Sequence, residues 1–268
     1  MRFSLLALLL VPSLALGDIK ADQLETWKHV LDYGDKDKDV KPPRVLITPT
    51  AIKIDPKHDE LPGGGMTSLQ RPVVAISTDG KSAWFAAEIA PMAICGEGDC
   101  SKVHSNPDGH VTALFDGGQP VVLHTGSLIK DKELAKAVAE GSRPTPIARS
   151  ISGAEEAVKQ FEATMGDPEA LAKTVSNRAD VVLFGNDLGD RVVGGASVRS
   201  TLQKWKLGLK LRDGILAGVT SSKAVAWVVA NVDARGPKKT DVATPYRLQL
   251  IYEKTGTSWQ LVQLHFSF

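Results

Sequence analysis

The chain has 268 residues, of which 43% are hydrophobic and 24% are charged, a composition typical of an ordered globular protein rather than a disordered one. Its formal net charge is only +1 and the sequence has no basic block, so it lacks the electrostatic footprint of a nucleic-acid-binding protein. The same balance provides no polybasic patch for anionic lipid, and we expect neither nucleic acid nor a membrane surface as a partner.

Residues 1–17 have the composition of a secretory signal. The segment reads MRFSLLALLLVPSLALG, with Arg2 at its start, an apolar run over residues 5–11 and small residues near its end. The apolar run is too short to cross a bilayer as a helix. We therefore expect cleavage near Asp18 and a secreted or periplasmic mature protein.

A short helix is predicted at residues 21–31, and strands follow in residues 44–129. Within that region Cys95 and Cys100 enclose a short glycine-containing loop, CGEGDC, and two such cysteines in an exported chain usually form a disulfide. The order C-x4-C-x3-H-x5-H, which includes His104 and His110, is also one that zinc can use. The exported context favours the disulfide, and we expect neither a metal nor a cofactor.

A further helix is predicted at residues 131–140, after which the chain enters the stretch GSRPTPIARS. Two prolines and several small polar residues in this stretch are typical of a linker. We therefore divide the mature chain into a first domain at residues 18–142, a linker at residues 143–149 and a second domain at residues 150–268.

The second domain has helical signals first and strand signals last. Ser152 and Glu155 have the spacing of a capping box for a helix over residues 153–165, and Asp167-Pro168 begins a second helix. A strand over residues 179–184 and a third helix over residues 196–207 follow. Four strands at about 211–220, 223–233, 244–254 and 257–267 must then pair as antiparallel neighbours. This order predicts an α+β fold.

The two domains share a weak internal repeat. VVAISTDGKSAWFAAEI at residues 73–89 aligns without gaps with LAGVTSSKAVAWVVANV at residues 216–232, which pairs Trp84 with Trp227. Further along, PVVLHTGS aligns with LVQLHFS and pairs His124 with His265. Two matches in the same order indicate a duplicated unit. The first copy is degenerate, because it has one short helix where the second copy has two.

The second domain resembles the SnoaL-like group of the nuclear-transport-factor-2-like (NTF2-like) superfamily. The likeness is carried by FGNDLGDRVVGG at residues 184–195, AVAWVVANV at residues 224–232 and WQLVQLHFS at residues 259–267. Asn186 stands where the family usually has Thr, and Leu188 where Pro is common. The resemblance implies a cone-shaped, curved antiparallel sheet with N-terminal helices in each copy. It implies no particular activity, because this scaffold serves isomerases, dehydratases, hydrolases and many non-enzymes.

The last strand contains His265, the first choice for a functional group. Period-two alternation places Trp259, Leu261, Gln263, His265 and Ser267 on one face. A mixed polar and apolar face suits the mouth of a small-ligand cavity, where a histidine can act as an acid, a base or a hydrogen-bond donor. A structural histidine fixed by a neighbouring strand is the alternative, because no partner for a catalytic relay is evident.

Trp227, Tyr246 and Asp187 complete the predicted ligand-binding set. The full set is His265, Gln263, Trp227, Tyr246, Trp259 and Asp187. Asp187 and Asp190 both lie in the loop before the third helix. Carboxylates that form the turn and cap the helix are the more common interpretation of such a pair.

Two hypotheses for function follow. The leading one is an exported protein of two NTF2-like domains that binds a small apolar molecule or a partner without catalysis. The competing one is an acid–base enzyme of the isomerase or hydrolase type that uses His265 on a small apolar substrate. Because sheets of this family commonly pair back to back, the resemblance also implies that the two copies form an internal pseudo-dimer.

Overall fold

The computed structural model describes residues 41–48, 50–57, 60, 67–91, 108–238 and 240–268. The predicted signal peptide at residues 1–17, the predicted helix at residues 21–31, and Cys95, Cys100 and His104 lie outside these ranges. The predictions made for them therefore remain predictions. Within the described ranges, no helix is both long and apolar enough to span a bilayer.

The first sheet contains six strands followed by one helix. The strands are β1 (Val45–Ile47), β2 (Ile52–Ile54), β3 (Thr67–Ile76), β4 (Ser82–Pro91), β5 (Gly109–Asp116) and β6 (Gln119–Ser127), and helix α1 (Asp131–Ala139) follows them. Strands β3 to β6 form an antiparallel meander, and β1 pairs with β6 in parallel. The predicted helix over residues 131–140 is therefore present in the chain.

The second sheet contains seven strands and is accompanied by three helices. Its strands are β7 (Ser150–Ser152), β8 (Val182–Phe184), β9 (Arg191–Val193), β10 (Gly208–Val219), β11 (Val225–Arg235), β12 (Thr244–Thr255) and β13 (Ser258–Ser267). The helices are α2 (Glu155–Thr164), α3 (Pro168–Thr174) and α4 (Gly195–Trp205). The three helices and four long strands follow the order that the sequence predicts, and the fold is α+β.

The starts of the first two helices differ in how they are capped. Asp167 caps α3 as predicted, because its carboxylate accepts a hydrogen bond of 2.9 Å from the Glu169 backbone N–H. The capping box predicted for α2 is wrong. Ser152 lies in β7 instead, and Ala154 is the N-cap residue, without a side-chain hydrogen bond. Pairing of β7 with β10 draws Ser152 away from the helix.

The two sheets have the same topology. The strand order is β2-β1-β6-β5-β4-β3 in the first sheet and, apart from the added β7, β9-β8-β13-β12-β11-β10 in the second. The registers also correspond, since Ile47 pairs with His124 in the first sheet and Phe184 pairs with His265 in the second. Trp84 and Trp227 are each the third residue of their strand. The structure thus supports the two tandem copies that the sequence repeat indicates.

A β-bulge interrupts the last strand of each sheet at the corresponding position. The register skips Val121 between β5 and β6, and it skips Val262 between β12 and β13. A bulge inserts one residue and reverses the faces of the residues beyond it. Two residues of β13 that are an even number of positions apart, one before Val262 and one after it, therefore lie on opposite faces of the sheet.

The two faces of the second sheet are buried in different ways. One face packs against α2, α3 and α4 around Phe161, Leu171 and Leu202. The other face packs against the first sheet through a cluster that includes Trp84 and Trp227. We call this contact between the sheets the seam. Its apolar members are Val45, Ile47, Ala75, Trp84, Leu114, Val121, Val122, Ile147, Val225, Trp227, Val229, Ile251 and Val262.

The segment over residues 143–149 is fixed to the second sheet rather than passing freely between domains. The backbone carbonyl of Thr145 accepts hydrogen bonds from Arg247 Nη2 (2.7 Å) and Asn231 Nδ2 (2.8 Å). Ile147 donates its backbone N–H to Asp213 and is 8% exposed in the seam. The prolines of this segment therefore belong to a packed connection.

Candidate functional site

The structure divides the predicted site residues between three places. His265, Gln263 and Trp227 lie in the seam, whereas Trp259 packs on the helix-covered face of the second sheet. Tyr246 lies at the edge of that helix-covered face and lines a cavity. These five residues therefore do not form one site, and Asp187, the sixth of the predicted set, lies in the loop after β8.

The expectation that Trp259 and His265 share a face is wrong, and the bulge at Val262 is the reason. Trp259 and Leu261 precede the bulge and belong to the helix-covered core. Beyond the bulge, Gln263 donates to the Phe85 carbonyl in the first sheet at 2.9 Å, and His265 is fully buried. The ligand-binding role of His265 and Gln263 stays a prediction, and the structure locates these residues in the seam rather than at a cavity mouth.

Three histidines converge in the polar part of the seam. The rings of His124 and His265, which occupy equivalent positions in the two sheets, have centroids 4.0 Å apart, and His110 lies 6.0 Å from His265. His265 Nδ1 is 3.0 Å from the Thr112 hydroxyl, and His124 Nε2 is 2.7 Å from the Ser267 hydroxyl. Side-chain hydrogen bonds across the seam therefore join the two sheets.

Burial keeps these imidazoles neutral. Desolvation, with a further contribution from Arg247, lowers the pKa of His124 to about 3. Desolvation is also the largest cause for His110, whose pKa falls to about 4, and for His265, whose pKa falls well below its usual range. A neutral, fully buried His265 can hold the sheets together, but it has no contact with solvent through which a substrate could reach it.

The strongest candidate for a ligand site is a cavity of about 230 Å³ at the edge of the helix-covered face. We call it the rim cavity, and it is lined by Asp131, Gly185, Asn186, Asp190, Trp205, Leu207, Tyr246 and Phe266. Three aromatic rings form its apolar wall. The Trp205 and Phe266 ring centroids are 6.2 Å apart, and those of Tyr246 and Phe266 are 5.6 Å apart, both edge to face. An apolar cavity with a few polar groups is the usual form of a small-molecule site.

Asn186 fixes the rim cavity by joining the two tandem copies. Its backbone carbonyl accepts the Ile129 N–H at 2.8 Å, and its side-chain Nδ2 donates to the Ile129 carbonyl at 3.2 Å. Its Oδ1 accepts the Tyr246 hydroxyl at 3.1 Å. These bonds hold the start of α1, and with it Asp131, at the rim. The first copy thus contributes a carboxylate to a cavity that belongs mainly to the second.

Asp190 is a carboxyl group of the rim cavity whose ionisation is opposed by its surroundings. Partial burial is the largest cause that raises its pKa, a hydrogen bond with the Asp187 backbone acts against that rise, and the nearby charges of Asp187 and Asp131 add to it. The backbone of Gly185 allows this position, because a Cβ at Gly185 would lie 2.5 Å from the Asp190 side chain. Burial also raises the pKa of Tyr246 further above neutral pH, where its hydroxyl is protonated.

Sequence reasoning found only part of the rim cavity. Tyr246 is a predicted site residue, and it lines the cavity. Asp187, also predicted, lies in the loop that contains Asp190 and acts on the cavity through its charge on Asp190. Asp190 itself was assigned to a turn, which its position in the short 3-10 helix Leu188–Asp190 supports, but it also faces the cavity. Trp205, Phe266 and Asp131 were missed. Asp131 carries no local signal, because its role depends on a contact between the two copies.

Two larger cavities are less suited to specific binding. One, of about 370 Å³, lies at the β3–β4 and β5–β6 turns beside Asp116 and Ser221, which bond to each other. The other, of about 550 Å³, is an open groove among exposed side chains near Lys206 and Arg235. Among the described residues, no group of three or more His, Cys, Asp or Glu side chains is placed to hold a metal ion.

Comparison with known proteins finds a family match for the second copy. Residues 156–268 match the family model of the SnoaL-like domain. No curated protein matches the chain in sequence.

Similar solved structures each cover less than half of this chain. An NTF-2 like protein of unknown function from Shewanella oneidensis MR-1 is 19% identical, with 43% of this chain and 97% of that chain covered and a TM-score of 0.34. A candidate dehydratase of the NTF2-like family from Streptomyces avermitilis is 18% identical. The match covers 43% of this chain and 92% of that chain, with a TM-score of 0.35. A de novo designed protein with a curved β-sheet is 14% identical. The match covers 43% of this chain and 99% of that chain, with a TM-score of 0.32.

Proposed function

We propose that this protein binds a small ligand in the rim cavity, and that the first copy serves mainly as a built-in partner for the second sheet. The observation that carries the proposal is the convergence of Tyr246, Asn186 and Asp190 on a cavity with aromatic walls. The rest of the helix-covered face is closed by packed side chains such as Tyr252 and Trp259, which are at most 5% exposed. The rim cavity is thus an opening in that face through which a small molecule can enter.

The test combines identification of the ligand with a blocked cavity. Full-length protein is purified without added ligand, and small molecules released on denaturation are measured by mass spectrometry. Leu207→Trp fills the cavity and is expected to remove the bound molecule, whereas Val242→Trp, at a site that is 76% exposed, is expected to retain it. Equal recovery from both variants, with both folded, would argue against the rim cavity as the site.

The internal pairing of the two sheets is the second part of the proposal. Support comes from the apolar seam and from hydrogen bonds such as Gln263 to Phe85 and Thr112 to His265. A sheet whose outer face is already covered by a copy in the same chain has no need of a second chain there. Size-exclusion chromatography with light scattering should give a monomer, and a tight homodimer of the whole chain would count against the pairing.

The proposed setting is outside the cytoplasm, and it rests on the composition of residues 1–17. Expression of the full chain in a bacterial host followed by fractionation and N-terminal sequencing tests it. A mature N-terminus near Asp18 in the periplasmic or culture fraction is expected. An intact N-terminus in the cytoplasmic fraction would contradict it.

A second candidate function is acid–base catalysis in the same cavity, and the raised pKa of Asp190 beside the Tyr246 hydroxyl favours it. This differs from the sequence-based hypothesis, because His265 is enclosed in the seam and Asp190 is the group that faces a cavity. Turnover of the co-purified molecule, abolished by Asp190→Asn and kept in His265→Gln, would favour catalysis over binding alone.

A further inference from the structure

We propose that the rim cavity selects ligands that carry a positive charge, and that Asp131 of the first copy supplies part of this selectivity. The inference rests on the proposed binding function and adds the chemical class of the ligand. It follows from three properties of the cavity: its carboxylates, its aromatic rings and the direction of its hydrogen bonds.

Two carboxylates line the rim cavity, and no described cationic side chain lines it with them. Asp131 and Asp190 line the cavity, and Asp187 is close enough to act on Asp190. Among the described residues, no Lys, Arg or His side chain lines the same space. The charges nearest Asp190 therefore oppose its ionisation, and a bound cation would relieve that repulsion.

The aromatic rings offer a second, independent attraction for a cation. Trp205, Tyr246 and Phe266 meet edge to face, so that their ring planes differ by 75° to 84°. Rings at such angles surround a volume rather than stack against one another. The face of an aromatic ring attracts an organic cation, and the attraction is stronger when water is excluded.

The hydrogen bonds of Tyr246 and Asn186 leave the Tyr246 oxygen as an acceptor for the ligand. The Tyr246 hydroxyl proton is directed at Asn186, and an Asn186 N–H is directed at the Ile129 carbonyl. The Tyr246 oxygen can still accept a hydrogen bond from a ligand. A primary ammonium group donates hydrogen bonds and accepts none, so it matches the Tyr246 oxygen and the carboxylates, and a quaternary ammonium group matches the carboxylates by its charge. An anion finds no described side-chain charge to pair with.

The first copy contributes through the position of α1. Asp131 is the first residue of that helix, and the paired hydrogen bonds between Ile129 and Asn186 fix its start at the rim. The family match begins at residue 156, so Asp131 lies outside the SnoaL-like domain to whose cavity it contributes. The added copy thus changes the charge of the site as well as covering the sheet.

The experiment compares a cation with its neutral isostere on the full chain. Isothermal titration calorimetry at low salt measures choline and 3,3-dimethyl-1-butanol, which differ by a quaternary nitrogen in place of a carbon. Choline is expected to bind at least tenfold more tightly. Asp131→Asn should weaken choline binding about threefold to tenfold and leave the neutral alcohol unchanged. Glu140→Gln, at the other end of the same helix, is the matched control and should change neither.

The outcomes separate the two proposals. Equal binding of both compounds, abolished by Leu207→Trp, would keep the rim cavity as the binding site and overturn the charge selectivity. Binding of neither compound would also overturn the selectivity, and recovery of a co-purified molecule would then decide the binding function by itself. Thermal melting of each variant distinguishes a lost contact from a lost fold. Weaker choline binding in Asp131→Asn than in Glu140→Gln supports the proposal.

Discussion

The two sheets follow one plan but have different surroundings, and this contrast separates what the scaffold needs from what the site needs. Both have a two-stranded hairpin in parallel contact with the end of a four-stranded meander. Helices α2, α3 and α4 cover the second sheet, whereas no described helix takes part in the cluster around Phe85 and Phe115 on the corresponding face of the first. The common plan serves the seam, and the additional helices create the cavity.

Inside the seam the contrast is between equivalent residues. Trp84 and Trp227 lie in one apolar cluster, while His124 and His265 lie together in its polar part. If the two copies contribute equally, equivalent substitutions should have equal effects. The expected effects below are ordered from the largest to the smallest.

Acid should have the largest effect on the seam. The pKa values of His110, His124 and His265 are lower in the folded protein than the ordinary value of 6.5, so the unfolded chain takes up protons first as the pH falls. The stabilisation is complete above pH 6.5 and is lost progressively below it, by about 1.4 kcal/mol per pH unit and histidine. Urea unfolding at pH 7.5 and pH 5 should therefore differ by roughly 6 kcal/mol in unfolding free energy at most.

Single substitutions compare the two equivalent histidines. His124→Gln and His265→Gln should each remove about one third of the pH dependence, whatever they cost at pH 7.5, because each removes one group that stays neutral when folded. The basic groups that act on His110 are Arg191 and Arg71. A stability that stays flat between pH 7.5 and pH 5 would contradict neutral burial of all three.

Truncation of the seam tryptophans should have the next largest effect. Trp84 and Trp227 are 1% and 7% exposed, and replacement of a buried Trp by Ala usually costs about 3–5 kcal/mol. We expect Trp84→Ala and Trp227→Ala to lower the unfolding free energy by similar amounts. Val242→Ala, at an exposed site, should change it by less than about 0.5 kcal/mol. A cost below about 1 kcal/mol at only one of the tryptophans would show that the copies contribute unequally.

Gly126 allows the smallest and sharpest comparison. It is equivalent to Ser267, whose hydroxyl bonds to His124, and a Cβ at Gly126 would lie 2.9 Å from His265 Nε2. Gly126→Ala should therefore cost about 1–3 kcal/mol through overpacking. Gly126→Ser should cost about 1 kcal/mol less, because its hydroxyl can bond to His265 as Ser267 does to His124.

The control for this pair is Gly189→Ala, at a glycine whose Cβ would meet nothing within 4 Å. It should leave stability nearly unchanged. All three variants are compared by urea unfolding at pH 7.5. If Gly126→Ser proves less stable than Gly126→Ala, the equivalence of the two seam positions does not extend to their hydrogen bonds.

The elements could be predicted from the sequence because their signals are local. The four long strands of the second sheet, the cap at Asp167 and the repeat that pairs Trp84 with Trp227 all follow from neighbouring residues. The face of His265 could not be predicted, because period-two alternation assumes an unbroken strand and the bulge at Val262 breaks it.

The rim cavity was harder to predict than the elements because its walls come from distant parts of the chain. Tyr246 belongs to the predicted ligand-binding set and lines the cavity. Asp131 follows the first sheet, Asp190 precedes α4 and Trp205 ends it, and only the packing of the two copies brings these residues together. A carboxylate in a loop can either form the turn or act as a functional group of a site. The burial of the carboxylate, which the sequence does not give, distinguishes the two roles.

The contact of His124 with His265 has a consequence for how this chain can evolve. In an assembly of two identical subunits, a residue beside the symmetry axis contacts the same residue of the other subunit. Every mutation there changes both sides of the contact at once, and the two new side chains must be compatible with each other. One continuous polypeptide removes that constraint, and Thr112 already faces Gln249, its counterpart in the other sheet, at 3.4 Å. Each side of the axis is free to acquire its own chemistry.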